Sequence, residues 1–219
     1  PLVRAASRSE RAGCELRFKL ENLQPTGSFK LRGALNRLAA LTAAERRRGV
    51  IALSAGNHAQ AVAYVARELG VRVTIVMPEN APFTKVEHSR RYGARVLQHG
   101  ASLKDGEALV AKLAKREGLA VIHPYDDPLV IAGQGTVALE MLAQDPALEV
   151  LVVPIGGGGL IAGMAVAGKA LNPKIEIIGV QSARFPHMRA ALKKRVPASG
   201  GITIADGIAP ASHGDAAAW

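Results

Sequence analysis

The sequence predicts an α/β protein of open, mainly parallel sheets with flanking helices. Three observations carry that reading. Short apolar runs alternate with longer amphipathic ones along the 219 residues, a pattern that calls for right-handed crossovers between parallel strands. The runs 71–77 and 150–153 are rich in Val and Ile, as strands covered on both faces are. Several runs pass directly into turns built of small residues, the punctuation expected between a strand and a helix.

The elements follow in order. A strand at 15–20 runs into Pro25-Thr26-Gly27-Ser28, after which a helix occupies 28–41. A strand at 50–53 meets Ser54-Ala55-Gly56-Asn57, and a helix follows at 58–69. The strand 71–77 precedes a helix at 82–92, and the strand 95–98 one at 103–117. Next come a strand at 120–122 with a helix at 128–143, and a strand at 150–154 with four glycines and a helix at 160–171. A strand at 175–180 and a helix at 186–194 close the pattern, and 197–219 reads as loop or ragged end. The weakest seams lie around 33–49 and 126–128.

Composition excludes several classes. Cys14 is the single cysteine, so there is no disulfide framework, and a cytoplasmic setting is the expectation. The net charge is +10, from 28 Lys and Arg against 18 Asp and Glu. These positives are spread along the chain, and the runs Arg46-Arg47-Arg48 and Lys193-Lys194-Arg195 fall near helix ends, where cations suit the dipole. Aromatics make up 4%, too few to stack bases, so no nucleic-acid partner is expected. Residues 150–168 carry no charge, yet Pro154 and the glycines at 156–159, 163 and 168 interrupt them. A strand, glycine loop and helix fit that stretch better than a membrane span, and no membrane partner is expected.

Three strand-to-helix turns stand where open α/β sheets bind ligands. In the first, Lys30 lies in the first turn of a helix, where the dipole repels a cation and lowers its pKa toward the neutral amine of a Schiff-base nucleophile. The position alone also suits an ordinary surface lysine. In the second, Ser54-Ala55-Gly56-Asn57-His58 presents small residues and backbone amides to a ligand. Here Asn57 equally suits a helix cap, and His58 an ordinary first-turn residue. In the third, Gly156, Gly157, Gly158 and Gly159 form a nest of N–H groups backed by a helix dipole, suited to phosphate. The run matches neither dinucleotide nor Walker-type fingerprints. The sequence also has no zinc-type spacing and no G-x-S-x-G elbow. A nucleophilic lysine beside a phosphate cup points to a cofactor with both aldehyde and phosphate, pyridoxal 5′-phosphate.

The segments 19–34, 54–60, 154–160 and 203–209, in that order, resemble the fold-type II pyridoxal-phosphate enzymes, in their threonine/serine dehydratase (threonine deaminase) branch. The resemblance implies a two-domain architecture, with a cofactor-binding large domain from 1–36 and 128–219 and a small domain at 37–127. It implies that Lys30 forms the Schiff base and that Phe29 packs against the cofactor ring. Asn57 would partner the ring hydroxyl oxygen, while Gly156, Gly157, Gly158, Gly159 and Leu160 would hold the phosphate. The loop Ser54, Ala55, Gly56, Asn57 and His58 would bind the carboxylate of a small amino-acid substrate. The implied reaction is β-elimination of L-threonine or L-serine to a 2-oxo acid and ammonia, with Lys30 removing the α-proton. A homo-oligomer, dimer or larger, is the expected state.

Departures from the family pattern carry expectations of their own. Many relatives hold a divalent cation on two acids where this sequence has Gln181 and His187, so no metal is expected there. Racemase relatives place a serine hydroxyl where this chain has Ala55, which favours elimination over racemisation. The likeness dissolves at Pro210, although the family's large domain continues. A truncated or fragmentary chain is therefore expected, with one flank of 150–180 bare, self-association through it and weak activity. The rival readings are a serine racemase or other amino-acid lyase on the same scaffold, a catalytically impaired binding or assembly module, and a nucleic-acid binder.

Overall fold

A computed structural model describes residues 1–196, 200–209 and 214. Three elements precede the first predicted helix. Strand β1 (Leu2–Arg4) pairs antiparallel with β2 (Arg17–Lys19), and helix α1 (Ala6–Ala12) lies between them. Glycine ends α1: Gly13 takes φ 67°, a left-handed conformation that costs glycine nothing. The strand predicted at 15–20 is thus half of a hairpin and not part of a parallel sheet, while β1 and α1 are additions to the predicted order.

Helix α2 (Lys30–Ala39) follows, and then α3 (Ala43–Arg48). Sequence reading left the 33–49 region as a seam, but α3 has a complete capping box. Thr42 Oγ1 accepts from the Glu45 N–H, and the Glu45 carboxylate accepts from the Thr42 N–H. Arg46, Arg47 and Arg48 occupy its last turn, as the dipole argument requires.

A four-stranded parallel sheet forms the next layer, in the order β5-β4-β3-β6. Its strands are β3 (Val50–Leu53), β4 (Val73–Met77), β5 (Arg95–Gln98) and β6 (Ala120–Val121). Helices α4 (Asn57–Glu68), α5 (Phe83–Arg91) and α6 (Leu103–Glu117) make its crossovers. Every residue of central β4 is buried, as a strand covered on both faces must be. On one face Val50, Ala52 and Ile75 meet α2 and α4 through Leu38, Val62 and Ala66. On the other, Ile51 and Val76 meet α6 through Val110 and Leu113.

A second, two-stranded parallel sheet joins β7 (Val150–Pro154) to β8 (Glu176–Val180), with helix α8 (Gly159–Leu171) between them and α9 (His187–Leu192) after them. Helix α7 (Pro128–Gln144) packs against both α2 and α8. Leu151 and Val153 of β7 are buried against Val137, Ala138 and Met164. Val150 and Val152 face outward, Val152 with 62% of its surface exposed. The expectation that 150–153 is covered on both faces therefore fails: the apolar cover from α7, α8, Phe29 and Leu148 meets Leu151 and Val153, while Val150 and Val152 stay exposed.

The uncharged stretch 150–168 forms β7, a loop and α8, as its sequence predicts, and no helix among the described residues is long and apolar enough to cross a membrane. Of the predicted terminal loop, 200–209 holds one short 3-10 turn at Asp206–Ile208. Residues 197–199, 210–213, where the likeness dissolves, and 215–219 lie outside the described residues.

Candidate active site

Lys30 is the first residue of α2, reached through a loop in which Gly27 takes φ 70°. Its Nζ donates to the carbonyl oxygen of Pro124 at 2.6 Å. The ammonium lies 5.3 Å from the Phe29 ring centroid and 6.0 Å from that of Tyr125, near the outer reach of a cation–π contact. Burial lowers the Lys30 pKa to about 8 from 10.5, because the charged amine loses water that one carbonyl replaces only in part. That shift raises the neutral fraction at pH 7 by roughly two orders of magnitude. The direction is the one expected from the sequence, but the main cause is burial and not the dipole.

The loop after β3 forms the facing wall. Gly56 caps α4 and Asn57 opens it, with no side-chain cap, so Asn57 does not take the capping role that sequence left open. The Gly56 N–H donates to Ser54 Oγ at 3.1 Å, which ties the hydroxyl into its own loop. The side chain of His58 is buried, and Nε2 lies 2.9 Å from the Ile122 carbonyl oxygen. A carbonyl can only accept, so Nε2 carries the proton and Nδ1 is left without a hydrogen bond. Burial, and then the nearby Lys30 charge, hold His58 neutral with a pKa of about 3.

The glycine run forms the third wall. Gly158 takes φ 99° and caps α8, again without a side-chain cap. Among the described residues of the run, Gly157 lines the cavity. Close approach by Tyr125 explains two of the glycines: a Cβ on Gly157 would lie 2.3 Å from Tyr125 Cδ1, and one on Gly159 2.8 Å from the Tyr125 carbonyl oxygen. Leu160 and Phe29 both pack on the apolar cluster behind β7.

These walls enclose a cavity of about 350 Å³ lined by Phe29, Lys30, the 54–58 loop and Gly157, within the range of small-ligand sites. Pro124, Tyr125, Lys85, Asp206 and Gly207 line it too, and sequence reading assigned no role to any of them. The signal for Pro124 and Tyr125 was available, because they follow β6 at its carboxyl end, where the ligand rule for open parallel sheets applies as it does to the turns after β3 and β7; the turn before Lys30 follows the antiparallel β2 and falls outside that rule. His123 packs edge-on to Tyr125 at 4.8 Å, and its Nδ1 accepts from the Asp126 N–H at 2.8 Å. Lys85 reaches Asp206 at 3.8 Å across the cavity. Gln181 and His187 lie elsewhere: Gln181 Oε1 accepts from the Arg189 N–H, and His187 opens α9.

Comparison with known proteins identifies the family. The chain is 48% identical over 211 residues to an L-threonine ammonia-lyase of Thermotoga maritima, covering 94% of this chain and 52% of that protein. It is 51% identical over 183 residues to a catabolic L-threonine dehydratase of Escherichia coli K12, covering 84% of this chain and 56% of that protein. The chain thus spans about half the length of the curated relatives it matches. Among solved structures, threonine deaminase isoform 2 of Solanum lycopersicum superposes with a TM-score of 0.94 at 39% identity, covering 99% of this chain and 60% of that one. Maize serine racemase gives a TM-score of 0.92 at 36% identity, covering 100% of this chain and 68% of that one. The family model described as "Pyridoxal-phosphate dependent enzyme" matches residues 1–219, and the chain belongs to that family.

Proposed function

We propose that this chain carries the lysine-bearing site of a pyridoxal-phosphate-dependent ammonia-lyase that deaminates L-threonine or L-serine to a 2-oxo acid and ammonia. One observation carries the reading: the desolvated Nζ of Lys30 stands in a cavity between the 54–58 loop and Gly157, with its pKa lowered to about 8. The threonine ammonia-lyase and dehydratase relatives support it. In the same reading the large domain comprises 1–36 and 128–219 and the small domain 37–127, in a cytoplasmic homo-oligomer.

The residues present fit the cofactor. A 350 Å³ cavity holds an amine in its wall, and the uncapped start of α8 offers backbone N–H groups of the kind that hold a phosphate. Gly156, Gly157, Gly158, Gly159 and Leu160 would supply those groups, Phe29 would flank the ring, and Asn57 would reach its hydroxyl oxygen. When bound, pyridoxal phosphate supplies the electron sink for charge developing at the substrate α-carbon. Lys30 Nζ takes the α-proton, a task for which an amine with a pKa near 8 is suited. The N–H groups of the 54–58 loop orient the substrate carboxylate, and the Lys30 amine stands in the same cavity.

Elimination is preferred to racemisation. The serine racemase structures argue for the other outcome, but Ala55 lines this cavity and a methyl group donates no proton. The test uses the full-length protein loaded with cofactor. Lys30→Ala should abolish 2-oxo acid release and the borohydride-fixed adduct together, and an adduct that moves to Lys85 with activity kept would sink the assignment. The unaltered protein should form negligible D-serine, and Ala55→Ser should gain some. A chelator should leave turnover unchanged, since Gln181 and His187 offer no pair of hard oxygen donors.

A further inference from the structure

We infer that Arg32 is a positioning residue for Lys30, holding both ends of the loop that delivers the lysine and setting α2 against α7. The inference rests on the reading of Lys30 as the cofactor lysine. A guanidinium has five N–H donors, and all five of Arg32's are engaged. Nε donates to Glu21 Oε2 at 2.7 Å, and Nη2 to Glu21 Oε1 at 2.9 Å and Glu140 Oε2 at 2.7 Å. Nη1 donates to Glu140 Oε1 at 2.6 Å and to Thr136 Oγ1 at 3.0 Å. The Arg32 side chain is 11% exposed and that of Glu21 15%. Lys19 Nζ meets Glu140 at 2.7 Å, so two cations balance two carboxylates. Lysine could not reproduce this fork.

The cluster's place in the chain gives it a role beyond charge balance. Glu21 lies at the near end of the loop and Arg32 two residues past Lys30, so their double hydrogen bond closes the loop at its base. Within the loop the other ties are local: a 3-10 turn at Glu21–Leu23, and the Gly27 N–H donating to the Gln24 carbonyl oxygen at 2.7 Å. The hydroxyls of Thr26 and Ser28 are buried without a hydrogen bond, and no side chain caps α2. Gln24 Nε2 donates to the same Glu21 carboxylate at 3.2 Å.

The bonds to Glu140 and Thr136 run to the middle of α7, the helix that follows the Pro124–Tyr125 segment receiving the Lys30 ammonium. At this level the two helices touch backbone to backbone: a Cβ on Gly133 would lie 2.6 Å from the Arg32 carbonyl oxygen. Close packing sets the distance between the helices, and the guanidinium fork sets their register along the axis. A shift of α2 by a fraction of a turn would carry Nζ away from Pro124, and misplacing a reacting atom by about 1 Å costs up to roughly 10²-fold in rate.

The test uses the full chain stripped of cofactor and mixed with pyridoxal phosphate, following the visible band and locating the borohydride-fixed lysine by peptide mass. Arg32→Lys keeps the charge and loses the fork. It should melt as a folded protein, yet capture the cofactor at Lys30 about 10- to 100-fold more slowly. Arg46→Lys, on α3, serves as the control and should load like the unaltered chain. Wild-type loading by a folded Arg32→Lys overturns the inference. If that variant does not fold, Glu140→Gln decides: slowed capture in a folded protein supports the inference, and an unchanged rate overturns it. Failure of the unaltered chain to load at Lys30 would instead overturn the reading of Lys30 itself.

Discussion

Lys30 shows what a residue's surroundings add to its position. Burial lowers its pKa to about 8 from 10.5, so between those values the unfolded chain keeps a proton that the folded chain has released. Stability therefore rises with pH across that window, and it is lowest below pH 8, where the buried amine must stay charged. In the cofactor-free protein the difference between wild type and Lys30→Met should narrow by up to about 3 kcal/mol from pH 7.5 to 10.5. Urea midpoints at the two pH values measure it, and a constant difference would mean that the amine is solvated. His58 works at the other end of the scale, with its pKa lowered to about 3. Between pH 6.5 and 3 the unfolded chain binds the extra proton, so His58 destabilises the fold as acid is added. Sequence placed Lys30 at a helix start, but its burial is a tertiary effect: Pro124, Tyr125 and His58, which share its cavity, come from two other segments of the chain. No local pattern announces it. The burial of the His58 side chain was equally hidden, because its partner, the Ile122 carbonyl, lies 64 positions away.

At the level of elements, most of the αβ alternation was legible, because strands such as 73–77 and helices such as 103–117 carry their periodicity in their own side chains. The short polar helix α3 was missed, although Thr42 and Glu45 spell the capping box that starts it. The strand at 15–20 was read, but its antiparallel partner β1 was not, because three residues are too few for alternation to register. The glycine run was legible as unusual, but part of its reason was not: Tyr125 presses on it from a loop more than thirty residues earlier. Gly157→Ala should therefore hurt before any cofactor is added, since its Cβ would meet the Tyr125 ring at 2.3 Å. A loss of about 1–3 kcal/mol is expected from such overpacking. Gly56→Ala meets nothing within 4 Å and should cost less than 1 kcal/mol. Thermal melts of the two cofactor-free variants compare them, and equal melting points would remove Tyr125 from the explanation of the run.

Across the whole molecule, the two parallel sheets are joined through α2 and α7, and Asp127 ties those helices where both leave the four-stranded sheet. Its Oδ1 accepts from the N–H groups of Leu129 and Val130 at 2.8 and 3.2 Å, capping α7. Its Oδ2 accepts from Arg37 Nε of α2 at 3.0 Å, with both side chains nearly buried, 15% and 16% exposed. Beside it, Asn36 Nδ2 donates to the Leu129 carbonyl oxygen at 2.6 Å. Sequence marked 126–128 as a seam; the structure shows that the seam is fastened by the residue that starts the next helix. The two tasks of Asp127 can be separated. Asp127→Ser keeps a capping oxygen and loses the Arg37 partner, whereas Asp127→Ala loses both. The alanine variant should cost about 1 kcal/mol more than the serine variant, the worth of a helix cap. The serine variant should itself cost about 1–3 kcal/mol, because Arg37 keeps only Glu45 at 3.8 Å and a buried charge that loses its close partner is costly. Arg37→Met should recover part of that loss in the serine background by removing the stranded cation. Urea unfolding of the three variants beside wild type measures each step, and a serine variant as stable as wild type would show that the tie between α2 and α7 lies in their apolar packing alone.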